Sequence, residues 1–247
     1  MLVDATLIAA AFAAGTLNAV AGGGSFLTLP ALVFAGVPAV SANATGTLAL
    51  LPGYLSAAWG FRGDTQPPPG LSMRALVLLS LLGGSTGAAL LLITPDHTFR
   101  RVVPWLLLLA TLLFVLAPRL TASRQAGARS PAVARVSVLA VTVYGGYFNG
   151  GLGILLLALF GLLGQTRLLA ANGLKNQVSA LLTLIAVALY AWGGLIAWRE
   201  AAIMAGAALL GGYLGARGAR RLPPAWLRAG IVATGLTMSL LFFLRSS

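Results

Sequence analysis

Long apolar stretches dominate the chain and are separated by short polar segments. Six of them, each long enough to cross a hydrocarbon core of about 30 Å as one helix, cover residues 42–61, 72–93, 99–117, 170–197, 200–216 and 229–244. Two further stretches, 5–36 and 135–164, are each some 30 residues long. A straight helix of that length would measure about 45 Å. Both are therefore predicted to break.

Glycine clusters lie near the middle of both long stretches, at 22–24 and at 150–153. Glycine tolerates backbone conformations that end a helix, so we predict two shorter helices joined at each cluster. Each pair is either a re-entrant helical hairpin or two short spans. The first stretch opens with Asp4 and lacks a basic leader, so we expect it to belong to the fold and not to a cleaved signal.

The two halves of the chain repeat one pattern, about 130 residues apart. Asn18 and the glycines after it correspond to Asn149 and the segment 150–153, and the segment 42–45 corresponds to 171–174. Duplication is the simplest account. The predicted organisation is a first membrane repeat at 1–118, a basic cytoplasmic linker at 119–134 and a second repeat at 135–247, which together form one transport domain.

The composition predicts that these helices lie in a membrane. Hydrophobic residues make up 59% of the 247 residues and charged residues 8%, too few for the surface of a soluble globule. The fold class expected is an all-α integral membrane protein. The absence of cysteine excludes disulfides and thiolate metal sites. The net charge of +12 comes from basic residues near span ends, which predicts a lipid bilayer as partner and no nucleic acid.

The basic segments also predict the topology. Those at 119–135 and 217–228 should both be cytoplasmic, so an even number of crossings separates them. Two ordinary spans lie between them, and the broken element 135–164 therefore contributes zero crossings or two. Each half then has an odd number of crossings, which predicts two inverted repeats. This assignment places Arg62, Asp64 and Arg74 inside and Asp96, His97, Arg100, Arg101, Arg199 and Glu200 outside, where the loop at 94–101 fits less well.

Polar residues around the two breaks predict an anion-binding site. Helix N-termini present free N–H groups, glycine lets an anion approach the backbone, and asparagine donates without carrying charge. The predicted substrate-binding residues are Asn18, Gly22, Gly23, Gly24, Asn43, Thr45, Asn149, Gly150, Gly151, Gly153, Asn172, Lys175 and Asn176. The structural alternative is close helix packing by the glycines and interhelical bonds from the asparagines, worth about 0.6 kcal/mol on average.

Lys175 is the only lysine and lies inside an apolar stretch. A charged side chain at depth costs about 2.5 to 3.5 kcal/mol on insertion scales. Two interpretations stay open: an ammonium that attracts an anion on the cytoplasmic side of the cavity, or an interfacial anchor that reaches the headgroups.

The acidic residues are Asp4, Asp64, Asp96 and Glu200, all near span ends, and the one histidine, His97, lies in a predicted loop. No carboxylate is expected in mid-membrane. Coupling through a buried acid is therefore not predicted, nor are a metal, a cofactor or an enzymatic reaction.

The chain resembles the sulfite exporter TauE/SafE family of membrane permeases over nearly its whole length. The resemblance rests on the segments GGGSFLTLP at 22–30, ANAT at 42–45, PG at 52–53, GYF at 146–148, GLG at 151–153 and ANGLKN at 171–176. It implies a secondary transporter of small sulfur-containing anions such as sulfite, thiosulfate or sulfonates, which usually moves them outward across the bacterial plasma membrane. An anion channel and a structural membrane subunit without transport activity remain alternatives, and the oligomeric state stays open.

Overall fold

In the computed structural model the described residues are 2–20, 22–63, 65–122 and 130–218, with 229, 232, 233, 236, 237, 239–241 and 243. The four main ranges form nine α-helices and no strand. They are α1 (Leu2–Val20), α2 (Ser25–Phe34), α3 (Ala39–Gly60), α4 (Met73–Leu92), α5 (Asp96–Ala122), α6 (Pro131–Tyr147), α7 (Leu152–Leu162), α8 (Leu168–Trp192) and α9 (Trp198–Gly218). The predicted span at 229–244, most of the linker and the basic segment after 218 lie largely outside the described residues.

The all-α prediction is confirmed for the described residues, with differences at two places. The stretch 170–197 ends as a helix at Trp192, because Gly194 takes a positive φ of 69°. The predicted loop at 94–101 is largely helical, since α5 begins at Asp96 and includes His97. There Asp96 accepts a hydrogen bond from the Val40 N–H at 3.0 Å and pairs with Arg100.

Both long apolar stretches break as the glycine clusters predict. α1 ends at Val20 and α2 begins at Ser25, while α6 ends at Tyr147 and α7 begins at Leu152. Gly151 precedes α7 in a left-handed conformation, φ 73°, so Gly153 lies within the helix and not in the break. α2 and α7 have 10 and 11 residues, about 15 Å of helix, or half the thickness of a hydrocarbon core.

The helices of the two halves are interleaved. α1 packs along α9, and α6, the predicted counterpart of α1, packs along α4, the predicted counterpart of α9. α3 packs along α8, its own counterpart. Glycine permits the close approaches: Gly15 lies against the backbone of Ala208, and Gly146 lies against the backbone of Gly84. The same neighbours therefore recur when the halves are exchanged.

Polar contacts gather at two ends of the helical bundle. We call the first end A: there Asp4 pairs with Arg199 at 2.7 Å, the start of α3 meets Asp96, and Thr45 accepts a bond from the Ala197 N–H at 3.0 Å. We call the other end B, where the loop after α3 meets the loop before α8. Its contacts are Gln165 to the Gln66 carbonyl at 2.8 Å, Arg167 to Gln66 at 3.0 Å and Gln177 to Thr65 at 3.1 Å.

Among the described residues, two helices are both long and apolar enough to cross a membrane by themselves, Met73–Leu92 and Leu169–Trp192. The other long helices carry more polar residues. α3 contains Asn43 and several hydroxyl and glycine residues, and α5 and α9 begin with charged ones.

Candidate functional site

The first break touches the first turn of α7, directly after the second break, inside the bundle. A Cβ placed on Gly22 would lie 2.9 Å from the Cα of Gly153, and one placed on Gly153 would lie 2.9 Å from the Cα of Gly22. Gly22 and Gly153 occupy equivalent positions, each four residues after the aligned asparagine. Gly22 also needs a left-handed backbone, φ 83°. Only glycine fits this contact without a shift of the backbone.

Asn18 and Asn149 lie beside the breaks, as their spacing predicts. The Cβ of Asn18 is 3.2 Å from the position that a Cβ on Gly24 would occupy. Asn149 precedes α7, where its backbone carbonyl accepts a bond from the Ser25 hydroxyl at 3.2 Å. Its side-chain Oδ1 accepts one from the Tyr54 hydroxyl at 3.4 Å. α2 and α3 of the first half thus hold the break of the second half.

The carbonyl groups of the second break are already hydrogen-bonded. The pairs are Tyr190 Oη to the Gly146 carbonyl, Asn43 Nδ2 to Tyr147 at 3.0 Å, Ser25 Oγ to Asn149 at 3.2 Å and Tyr144 Oη to Gly150 at 2.7 Å. A sodium or other hard cation takes oxygen ligands, and these oxygens are engaged by protein donors.

Donors, in contrast, are left over at both breaks. Neither α2 nor α7 has a side-chain cap at its N-terminus. The amide groups of Gly24 and Ser25, and those of Gly151 and Gly153, donate to no acceptor within the described part of the chain. Helix N-termini of this kind carry a partial positive charge and free N–H groups. An anion would complement both.

Five buried side-chain atoms have no hydrogen-bond partner among the described residues: Asn18 Oδ1, Thr28 Oγ1, Asn149 Nδ2, Ser179 Oγ and Thr183 Oγ1. A buried polar group left unpaired costs about 1 to 3 kcal/mol, so such groups need an explanation. Asn18 and Asn149 are at the breaks themselves. Substrate or water bound between the helices would supply the missing partners.

Lys175 lies against the contact of Gly22 with Gly153. Only 1% of its surface is exposed, and its Cδ is 3.3 Å from the position that a Cβ on Gly153 would occupy. No carboxylate or hydrogen-bond acceptor within the described ranges pairs with it. An interfacial anchor would have its ammonium in the headgroup region and its side chain exposed. The burial of Lys175 argues against the anchor, and its role in anion binding stays a prediction.

The remaining predicted site residues divide into three groups. Gly23, Gly150 and Gly151 are buried within the breaks, and Gly151 packs against Phe26. Asn176 is buried beside Lys175, while Asn172 is half-buried in the first turns of α8. Thr45 is engaged with Ala197 near end A, and Asn43 is engaged with Tyr147. The involvement of all these residues in substrate binding stays a prediction.

Several residues of this region are absent from the sequence prediction, among them Tyr54, Ser179 and Thr183. Tyr54 directly follows the Pro52-Gly53 pair, and Ser179 and Thr183 follow Lys175 by four and eight residues. The helical period places residues so spaced on one side of α8, which is the signal that identifies them.

The arrangement supports binding of an anion more than catalysis. The part of the chain that the structure describes contains no group of three His, Cys, Asp or Glu side chains able to hold a metal. The buried groups near the breaks are amides, hydroxyls and one ammonium.

Comparison with known families decides the class. The family model described as "Sulfite exporter TauE/SafE" matches residues 7–242. The chain belongs to this family. The resemblance to this family is thereby confirmed.

Curated relatives of this TauE/SafE protein are named as transporters. It is 30% identical to "Probable membrane transporter protein ORF9" of Sinorhizobium sp., over 86% of this chain and 82% of the relative. It is 30% identical to a "Probable membrane transporter protein" of Haemophilus influenzae, over 86% and 84%, and 29% identical to "Probable membrane transporter protein YfcA" of Escherichia coli K12, over 86% and 77%. No solved structure matches the chain. The TauE/SafE protein is thus a membrane transporter by family.

Proposed function

We propose that the protein is a multi-pass secondary transporter that exports small sulfur-containing anions, such as sulfite, thiosulfate or sulfonates, across the bacterial plasma membrane. The observation that carries the proposal is the surplus of donors at the breaks. Uncapped helix N-termini and Asn149 Nδ2 lie at the breaks, and the buried side chain of Lys175 approaches Gly153 with its Cδ. The resemblance to sulfite exporters supplies the substrate class.

The proposed architecture is an inverted repeat. Asp4 places the start of α1 at end A, and Val40 places the segment after α2 at the same end. Gly70 lies against Pro131, which places the start of α6 with the loop after α3 at end B, and Gln165 places the end of α7 there too. The first broken unit thus enters and leaves at A and the second at B. Entry from opposite ends supports inversion of the second repeat relative to the first. We propose that both broken units are re-entrant hairpins and that end B is cytoplasmic.

Energetics supports an exporter without a coupling ion. An inside-negative potential contributes about 2.3 kcal/mol per charge per 100 mV to outward movement of an anion. α8 begins at end B, so Lys175, about 11 Å along it, lies toward the proposed cytoplasmic end. It would draw an anion from the cytoplasm to the breaks. Alternating access then requires the two breaks to be exposed in turn to B and to A.

The class of activity is transport and not catalysis. We infer no enzymatic reaction, no resident metal and no cofactor, because the buried groups that the structure describes around the breaks are amides, hydroxyls and an ammonium, without a paired acid and base. The partners proposed are the anion and the lipid bilayer. A channel using the same donors is the competing mechanism.

The test is flux of labelled sulfite, thiosulfate and methanesulfonate in vesicles that contain the purified protein and an imposed potential. We expect saturable movement toward the positive side and acceleration by unlabelled substrate on the opposite side. Flux that never saturates would assign a channel, and no flux of any of the three anions would reject the proposed function. Protein-free vesicles and chloride are the controls.

A further inference from the structure

Two buried hydroxyl groups of α8, those of Ser179 and Thr183, share with Thr28 of α2 the lack of a hydrogen-bond partner among the described residues, and differ in this from four other buried hydroxyls of the helices. Those four donate to the carbonyl one turn earlier: Thr47 to Asn43 at 2.7 Å, Ser80 to Leu76 at 2.6 Å, Thr111 to Leu107 at 2.7 Å and Thr142 to Val138 at 2.9 Å. Ser179 and Thr183 are both 0% exposed and, within the described residues, have no partner, not even that carbonyl. Their hydroxyls are thus turned away from the backbone of α8 and remain free for something else.

The position of these hydroxyls on α8 identifies what they face. Lys175 and Tyr190 lie on the same side of the helix, before and after them. Lys175 contacts Gly153, and the Tyr190 hydroxyl donates to the Gly146 carbonyl, so both neighbours touch the second break or its border. Ser179 and Thr183 therefore lie on the side of α8 that faces the break.

The first half does not offer the same groups. On α3 the residues that correspond to Lys175, Ser179 and Thr183 are Gly46, Leu50 and Tyr54. Gly46 is packed so closely that a Cβ there would lie 2.8 Å from Thr28 Oγ1. A lysine would not fit at that position. The ammonium and the two free hydroxyls are therefore specific to α8.

We propose that Lys175, Ser179 and Thr183 form an oxyanion subsite, in which the ammonium holds the charge and the two hydroxyls donate to separate oxygens of one ligand. Donors spaced along a helix select a ligand with at least two oxygens, such as sulfite or a sulfonate, over a spherical halide. This inference rests on the proposed function and adds the residues that distinguish an oxyanion from other anions.

The test uses the purified protein, with half-saturating sulfite concentration measured in vesicles and equilibrium binding of sulfite measured in detergent. Ser179→Ala and Thr183→Val remove an unpartnered hydroxyl with little change of shape. Each should raise the half-saturating concentration roughly tenfold, since bonds to a charged ligand are strong ones, and should leave the unfolding temperature unchanged or higher. Thr183→Ser keeps the hydroxyl and should retain sulfite affinity.

The matched control is Ser80→Ala, which removes a buried hydroxyl that bonds within its own helix. Its sulfite affinity should equal that of the wild type. If Ser179→Ala and Thr183→Val bind and transport sulfite like Ser80→Ala, the subsite is wrong although the transporter stands. If the wild type neither binds nor moves sulfite, thiosulfate or methanesulfonate, the proposed function and the subsite fail together.

Discussion

Gly22 packs backbone to backbone against Gly153, the residue that holds the same place in the other half of the chain. The first break and the start of α7 are thus positioned by each other. A side chain on either residue would push the two halves apart at the place where the proposed substrate site is assembled.

Gly153→Ala should therefore abolish anion flux and lower the unfolding temperature, because its Cβ would lie 2.9 Å from the Gly22 Cα. Gly22→Ala should cost more, since its left-handed backbone adds about 1 to 2 kcal/mol of strain. Thermal unfolding and vesicle flux are the measurements. Gly206→Ala is the control: no atom lies within 4 Å of the added Cβ, so both properties should be retained. Wild-type behaviour of Gly153→Ala would contradict the described contact.

Lys175→Gln should leave expression nearly unchanged and reduce anion flux at least tenfold, because it removes the one buried positive charge found within the described ranges. Lys175→Arg should restore only part of the flux, since guanidinium and ammonium differ in shape and donor geometry. Arg62→Gln, which removes an exposed cation that lies over Trp59, should keep the flux. Unchanged rate and apparent affinity in Lys175→Gln would make the lysine an anchor.

Asn18→Leu and Asn43→Leu should separate function from packing. Asn18 Oδ1 has no partner among the described residues, so its loss should impair transport more than stability. Asn43 donates to the Tyr147 carbonyl at 3.0 Å, and removing that donor should cost about 1 to 3 kcal/mol of stability. Asn149→Leu should resemble Asn18→Leu in flux, with an added loss of the Tyr54 bond. Normal flux in both Asn18→Leu and Asn149→Leu would return these residues to a packing role.

The inverted topology can be tested with single cysteines, because the natural chain has none. Ser130→Cys at end B, together with Arg124→Cys and Arg220→Cys outside the described residues, should react with an impermeant thiol reagent only from the cytoplasm. His97→Cys at end A should react only from the opposite side. Reaction of Arg124→Cys and Arg220→Cys from different sides would exclude the topology.

The helices and their breaks were predictable because they depend on local properties. Apolar length defines α3, α4 and α9 to within a few residues, and the glycines at 22–24 and 150–153 mark where a helix cannot continue. The start of α5 was not predictable from the apolar pattern, because Asp96 is held by the backbone of Val40, a residue distant in sequence.

The candidate site was predictable only in part. The repeated sequence pattern identifies Asn18 and Asn149 as site candidates. It does not predict contacts with other helices, such as the hydrogen bond from the Tyr54 hydroxyl to Asn149. The sequence could not predict the burial of Lys175. A lysine this far from the end of a span can either reach the headgroups or be buried in the protein. Thr45 was predicted from the same sequence pattern as the other site residues, yet its hydroxyl accepts a hydrogen bond from the Ala197 N–H near end A.

The interleaving of the halves has a consequence for how the protein is made. α9, the main neighbour of α1, is synthesised about 180 residues later, a delay of roughly ten to forty seconds at ordinary rates of translation. During that time the glycine face of α1 that later meets Ala208 has no partner of its own chain. The insertion machinery or lipid must shield it until then. The order of synthesis thus differs from the order of packing, and α1 reaches its final place only after nearly the whole chain has been translated.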